Sequence, residues 1–210
     1  MTTPATRSRQ NTRARLLDAA AEVFAEVGLE GATVEAVCER AGFTRGAFYS
    51  NFESMDQLFL TLAASVGEAR VRSVRDRITT MVAAGALSDC DPIELVQQVM
   101  DSGDDDRLDV LLMSEIRIRA LRDRDFGRAY LAQEGELVDS IADIIHEIVD
   151  SGQFALRVEV PVAAQLLMTV WETTTVRGVM TGADEADLRG AGSEALGRVV
   201  ELLKAGGSAP

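Results

Sequence analysis

Residues Thr33 to Phe52 read TVEAVCERAGFTRGAFYSNF. Their caps, stops and apolar positions specify a helix, a tight turn and a second helix. Val34, Val37 and Ala41 recur at helical spacing and give the first helix one apolar stripe. Thr33 has the hydroxyl to cap its start, and Glu35 falls in the first turn, where the helix dipole favours a negative charge. Gly42 is free to take a positive φ and stop the helix. Two residues later Thr44 is placed to cap a second helix. Phe43 before that cap and Phe48 four residues after it have the spacing of a hydrophobic staple.

Ala47 and Phe48 put apolar side chains on one side of the second helix, leaving Arg45, Tyr49, Ser50 and Asn51 for the other. In a helix-turn-helix the start of the second helix enters the DNA major groove. Arg45 and Gly46 stand there. Arg45 can hold a phosphate or reach a guanine edge, and Gly46 lets the backbone come close. Tyr49 and Thr33 offer hydroxyls to phosphates on either side. The residues predicted to face DNA are Thr33, Thr44, Arg45, Gly46, Ala47, Tyr49, Ser50 and Asn51.

With these residues, the chain resembles the TetR family of transcriptional regulators. The resemblance is carried by Ala20 and Phe24, Gly28, Thr33, Ala41-Gly42-Phe43-Thr44, Gly46, Phe48-Tyr49, Phe52 and Leu58-Phe59, over roughly residues 10–70. One position departs from the pattern. Many relatives carry a phosphate-clamping lysine at the start of the next helix, where this chain has Met55.

The 210 residues are enough for a sizeable core and one or two domains. A 47% hydrophobic and 26% charged composition is that of a globular chain. Cys38 and Cys90 make no disulfide framework, and no stretch approaches the length of a membrane span. A cytoplasmic protein with no membrane partner and no cofactor is expected. The net charge of −13 argues at first against DNA binding. Its distribution removes the objection: residues 1–52 hold six Arg and six Asp/Glu, while residues 53–210 hold 15 Lys/Arg and 28 Asp/Glu. Arg7, Arg9, Arg13 and Arg15 cluster before any acid appears. Such an arm either tracks phosphates or is a solvated tail.

The first helix is predicted from about Thr12 to Val27, burying Leu16, Leu17, Ala20, Val23, Phe24 and Val27. Gly28 is expected to end it, with Leu29 folding back in a Schellman motif. Cys38 reads as a small core side chain. Ser54-Met55-Asp56-Gln57 is a capping box that opens a long helix to about Thr80. Further helices are predicted from Pro92 to Met100, Leu108 to Leu121, Asp125 to Val149, Val160 to Met180 and Asp184 to Lys204. The acidic run Asp101 to Asp106 fails as an EF-hand, because Asp109 stands where the turn glycine belongs. It reads as a solvated loop, and Gly206 to Pro210 as a disordered tail. The predicted fold is all-α: an N-terminal three-helix helix-turn-helix DNA-binding domain at 10–70 (motif 33–52), joined by a long helix to a C-terminal helical ligand-binding and dimerisation domain at 71–205.

The last two helices carry apolar faces together with Gly178, Gly182, Gly190, Ala191, Gly192 and Gly197. The resemblance implies that they pair with their copies as a four-helix bundle. A two-fold dimer also follows from the small size of one recognition helix, since two copies read a palindromic operator in double-stranded DNA. By the same resemblance the central helices enclose a small-molecule effector of unknown identity. Met100, Met113, Phe126 and Tyr130 could line such a cavity, with Met168 and Trp171. Arg117, if it points inward, could pair an anionic group. Each of these could equally be ordinary core or surface.

An enzyme is the rival class. Gly190-Ala-Gly192-Ser-Glu-Ala195 spells a dinucleotide fingerprint, but no strand precedes it and a helical pattern runs through it. No GxSxG occurs, His146 is the only histidine, and no Cys/His cluster has zinc spacing. A helical scaffold with a vestigial reading head is the second rival. The expected function is a ligand-responsive, homodimeric DNA-binding regulator, a repressor released from its operator by a small molecule, with an activator of the same fold as the alternative.

Overall fold

The computed structural model describes residues 4–87, 91–100 and 106–205, the side chains of 4–8 and 106 excepted. The acidic segment 101–105, Cys90, the 206–210 tail and the Arg7 side chain lie outside that description. Among the described residues nine helices follow one another: α1 Pro4–Gly31, α2 Val34–Ala41, α3 Arg45–Tyr49, α4 Met55–Ala83, α5 Pro92–Met100, α6 Asp106–Arg122, α7 Arg124–Asp150, α8 Val160–Thr181 and α9 Glu185–Leu203. The fold is all-α, as the sequence predicts. The described residues form no strand, only one antiparallel bridge between Leu156 and Lys204.

The chain forms two compact units, Met1–Val66 with Leu111–Ala132, and Gly67–Val110 with Gln133–Pro210. In the first, Leu16, Phe48, Phe52 and Leu58 are fully buried beside Val37. Two expectations for α1 need correction. It begins at Pro4, well before Thr12, because proline suits a first helical turn and no breaker follows until Gly28. Val27 is 55% exposed and outside the core. Gly28 has φ 73° and ψ 177°, which breaks the helical path before it continues to Gly31. That ψ is far from the left-handed helical value of a Schellman motif. The Leu29 N–H instead donates to Glu115 Oε2 of α6 at 2.6 Å.

Ser54 accepts from the Gln57 N–H at 3.2 Å, the first half of the predicted capping box. The return bond differs: Gln57 Oε1 accepts from the Glu53 N–H at 2.6 Å. Asp123 is the whole connection between α6 and α7. Its carboxylate accepts from the N–H groups of Asp125 and Phe126 at 2.9 and 3.1 Å. These two bonds hold the Asp123 carboxyl below the usual carboxylate range.

In the second unit Ile78, Leu87, Leu95, Val99 and Ile144 form one core cluster. Ala142, Ile145, Ala163, Ala164 and Leu203 form another. Helix α9 packs along α8 and against α5. The small residues of α8 and α9 divide by role. A Cβ on Gly192 would lie 2.5 Å from the Trp171 ring, and one on Gly197 would lie 2.6 Å from Ile93 Cα. Gly178 admits Leu188 in the same way. These three glycines serve seams inside the chain. Gly182 caps α8 at φ 76°, while Gly190 and Ala191 face outward.

Candidate nucleic-acid interface

The turn predicted from sequence is built as its chemistry requires. Thr33 is extended and its hydroxyl accepts from the Ala36 N–H at 3.2 Å. Gly42 takes φ 71° and ψ 35°. The Gly42 N–H donates to Glu39 O and the Phe43 N–H to Cys38 O, the paired bonds of a Schellman stop. Thr44 caps α3 by accepting from the Ala47 N–H at 3.2 Å. Phe48 is fully buried, and Tyr49 stands edge-on to it with ring centroids 5.3 Å apart. Burial also pushes the Cys38 thiol up, which keeps it protonated as a small core side chain.

Helix α3 is only five residues long. Thr44, Arg45, Gly46 and Tyr49 are exposed on it or at its cap, Thr33 is exposed at the cap of α2, and Ala47 is half-buried. Ser50 and Asn51 follow the helix. The Ser50 hydroxyl donates to Gly46 O and the Asn51 amide to Ala47 O, each at 2.8 Å. Arg45 Nη1 pairs with Glu35 Oε1 at 2.8 Å. A hydrogen bond with Tyr49 and the Glu35 charge together raise the guanidinium pKa, so Arg45 is a permanent cation.

Over its described side chains the Arg-rich arm is not a frayed, solvated tail. Arg9 donates to Ser50 O at 2.9 Å. Arg13 donates to Asn51 O at 2.8 Å and to Thr61 Oγ1 at 3.1 Å, with its guanidinium 4.3 Å from the Phe52 ring centroid. Arg15 donates to Ala41 O at 2.8 Å over the Phe43 ring. All three cations therefore satisfy carbonyls at the C-terminal ends of α2 and α3, where the dipole favours them. Arg40 pairs with Glu22 and Glu26, and its hydrogen bond holds the Glu26 carboxyl low.

Residues 16–62 match the family model described as bacterial regulatory proteins, tetR family. The chain is 29% identical over 195 residues to the HTH-type transcriptional repressor AcnR of Corynebacterium glutamicum, covering 92% of this chain and 91% of that one. Residues 16–62 are therefore a DNA-binding domain of the TetR type. The chain is a DNA-binding transcriptional regulator and not an enzyme. The TetR-family fold extends over nearly the whole length. A TetR transcription regulator from Haloarcula marismortui superposes with a TM-score of 0.70 at 16% identity, covering 93% of this chain and all of that one. FadR of Bacillus subtilis, solved in complex with stearoyl-CoA, superposes with a TM-score of 0.61 at 17% identity, covering 89% and 97%.

Outside the TetR-type domain, the residues predicted to line an effector cavity fall into both units. Met113, Arg117, Phe126 and Tyr130 belong to the first, and Met100, Met168 and Trp171 to the second. Arg117 Nη2 donates to the Tyr130 hydroxyl at 3.5 Å, with Phe126 and Tyr130 buried. Trp171 packs against Gly192 and lies 5.0 Å beneath the Arg70 guanidinium. Among the described residues no cluster of His, Cys, Asp or Glu could hold a metal ion, and no helix is long and apolar enough to cross a membrane.

Sequence reasoning missed the ties from α6 to the head. Besides Glu115 on Leu29, Arg119 pairs with Asp56 at 2.7 Å and Arg122 with Glu30 at 3.2 Å. The only signal available was the presence of charges within an apolar run, which cannot name partners so distant along the chain.

Proposed function

We propose that the chain is a cytoplasmic, homodimeric repressor that binds a palindromic operator and is released by a small-molecule effector. The observation that carries the reading is the capped, exposed start of α3, which presents Arg45, Gly46 and Tyr49 beside Thr33 and Thr44. The eight residues predicted from sequence remain the proposed DNA-facing set. The repressor sign is supported by similarity to AcnR, which is named a transcriptional repressor.

Residues 10–70 act as the reading domain and 71–205 as the effector and dimerisation domain in this proposal. Pairing through α8 and α9 is supported by the outward face of α8. The exposed ridge of α8 runs through Val162, Leu166, Thr169, Thr173, Arg177 and Met180, with one charge in six positions. Two copies would set their recognition helices roughly 34–36 Å apart, or a multiple of it, to enter successive major grooves.

Similarity to FadR, whose structure holds stearoyl-CoA, supports an effector bound among the helices. The Arg117–Tyr130 pair offers a donor for an anionic group. Arg117 stands on the same helix as Glu115 and Arg119, which hold Leu29 and Asp56. An effector that shifts α6 would strain those ties and turn the head. To empty an occupied operator it must prefer the released state by about 5 kcal/mol.

The test is selection of the full-length protein on random duplex DNA, repeated across salt. Enrichment of a palindrome, with affinity falling as salt rises, is the expected result. No enrichment at any salt would refute operator reading by this chain alone.

A further inference from the structure

The reading head carries almost no surplus positive charge. The chain has one lysine, Lys204, far outside the head. Before residue 66 there are six arginines. Arg9, Arg13 and Arg15 are bonded to backbone carbonyls, Arg40 to Glu22 and Glu26, and Arg45 to Glu35. The Glu35–Arg45 pair differs from the others in its place. Arg45 is the first residue of α3, and Glu35 is in the first turn of α2. Both side chains are about 60% exposed at the reading surface. Both helices are fixed by their threonine caps, so the pair is built into the turn.

An arginine has five N–H donors in a planar fork. Glu35 engages Nη1 at 2.8 Å and Tyr49 also hydrogen-bonds the guanidinium, and of the five donors this leaves enough for a second planar partner. Bidentate contact with guanine O6 and N7 needs two of them in a fixed orientation. A phosphate contact needs no such orientation and responds to net charge, which the Glu35 carboxylate cancels.

Resting on the proposal that α3 reads DNA, we propose that Glu35 is a specificity-determining, positioning residue: it orients the Arg45 guanidinium for a guanine edge and neutralises its attraction to phosphate. The head then discriminates by the geometry of hydrogen bonds at the base edge. Its affinity for unrelated DNA stays low because the pair has no net charge to offer.

The experiment compares wild type, Glu35→Gln, Glu35→Ala and each of these combined with Arg45→Ala. The DNA probes are the selected operator, the same operator with the guanine preferred at the Arg45 position replaced by adenine, and a scrambled duplex. Circular dichroism confirms that each variant is folded. In wild type the guanine-to-adenine change should weaken binding by about five- to 150-fold, the range of one good bidentate contact. Glu35→Ala should reduce that discrimination severalfold. It should also tighten binding to the scrambled duplex about two- to fivefold, and steepen the log affinity against log salt slope by about 0.9 per head. Glu35→Gln, which keeps an acceptor without the charge, should show the same salt effect with less loss of discrimination. A purely structural role in α2 would move neither base preference nor salt slope. The inference is overturned if Glu35→Ala leaves both unchanged, or if the changes persist undiminished with Arg45→Ala. If wild type enriches no sequence, the DNA-reading proposal itself fails and takes this inference with it.

Discussion

At Gly42 the backbone is left-handed, and the space around it is open. A methyl group there would meet only Arg15 Nη2, at 3.6 Å. Gly42→Ala should therefore cost the backbone strain alone, about 1–2 kcal/mol, and Gly42→Asn less, because asparagine tolerates this region. Urea unfolding of the three proteins measures both. Gly197 presents the opposite case, a helical glycine whose added Cβ would lie 2.6 Å from Ile93 Cα. Backbone atoms cannot step aside as a flexible side chain does. Gly197→Ala should cost about 1–3 kcal/mol of overpacking, despite alanine's better helix propensity. Asp123 adds a dependence on pH. Its folded pKa is depressed by two backbone N–H bonds, so its stabilising effect is present above the unfolded value of about 3.9 and is lost as pH falls through the folded value. Asp123→Asn should melt below wild type at pH 7, and the gap should close as the pH is lowered below the ordinary carboxylate range. A gap unchanged across that range would remove the charge from the explanation.

Five residues are too few for a helix to form alone in water. Helix α3 is held from outside, by the Thr44 cap, by Phe48 in the core, and by arginines of α1 on the carbonyls that follow it. Arg13 makes the largest share of these contacts, bonding Asn51 O and Thr61 and covering Phe52. Arg13→Ala should destabilise the head by about 1–3 kcal/mol and speed hydrogen exchange of the Phe48 to Phe52 amides. Arg13→Lys should fall between, having charge but no planar fork. Exchange unchanged in Arg13→Ala would show that Phe48 and the cap suffice. The same element shows what a sequence discloses. Thr33, Gly42 and Thr44 were legible because caps and stops act over three or four residues, and the Val34, Val37, Ala41 stripe fixes the face of α2. The first turns of α1 were not legible, because polar residues 5–11 carry no apolar period and the anchor of Arg9 lies some forty residues away along the chain. The DNA-facing positions could be read from the turn, but the Glu35–Arg45 pair depends on how two caps aim two helices. The glycines of α8 and α9 announced close packing without naming the neighbour, and part of that packing is Trp171 and Ile93 of the same chain.

For the molecule as a whole, charge and symmetry decide what the head can do. Thirteen net negative charges on the chain, outside a balanced head, repel DNA at long range. One short recognition helix whose single cation, Arg45, is already paired with Glu35 gives little affinity. A second copy makes the next contact intramolecular and raises affinity by about 10²–10⁴ without any new chemistry. Dimerisation is therefore a requirement of the proposed function. The outward faces of α8 and α9 are the surfaces proposed for it. Met180 is 79% and Leu202 75% exposed, so neither side chain contributes much to the folded monomer. Met180→Glu combined with Leu202→Glu should leave helicity and melting of the chain nearly intact while placing four like charges into the seam between copies. Sedimentation should then show a monomer, and operator affinity should fall by about a hundredfold or more with Arg45 and Glu35 untouched. A double variant that still sediments as a dimer would move the seam to another face, and a monomer that binds the operator undiminished would end the case for reading by two-fold pairs.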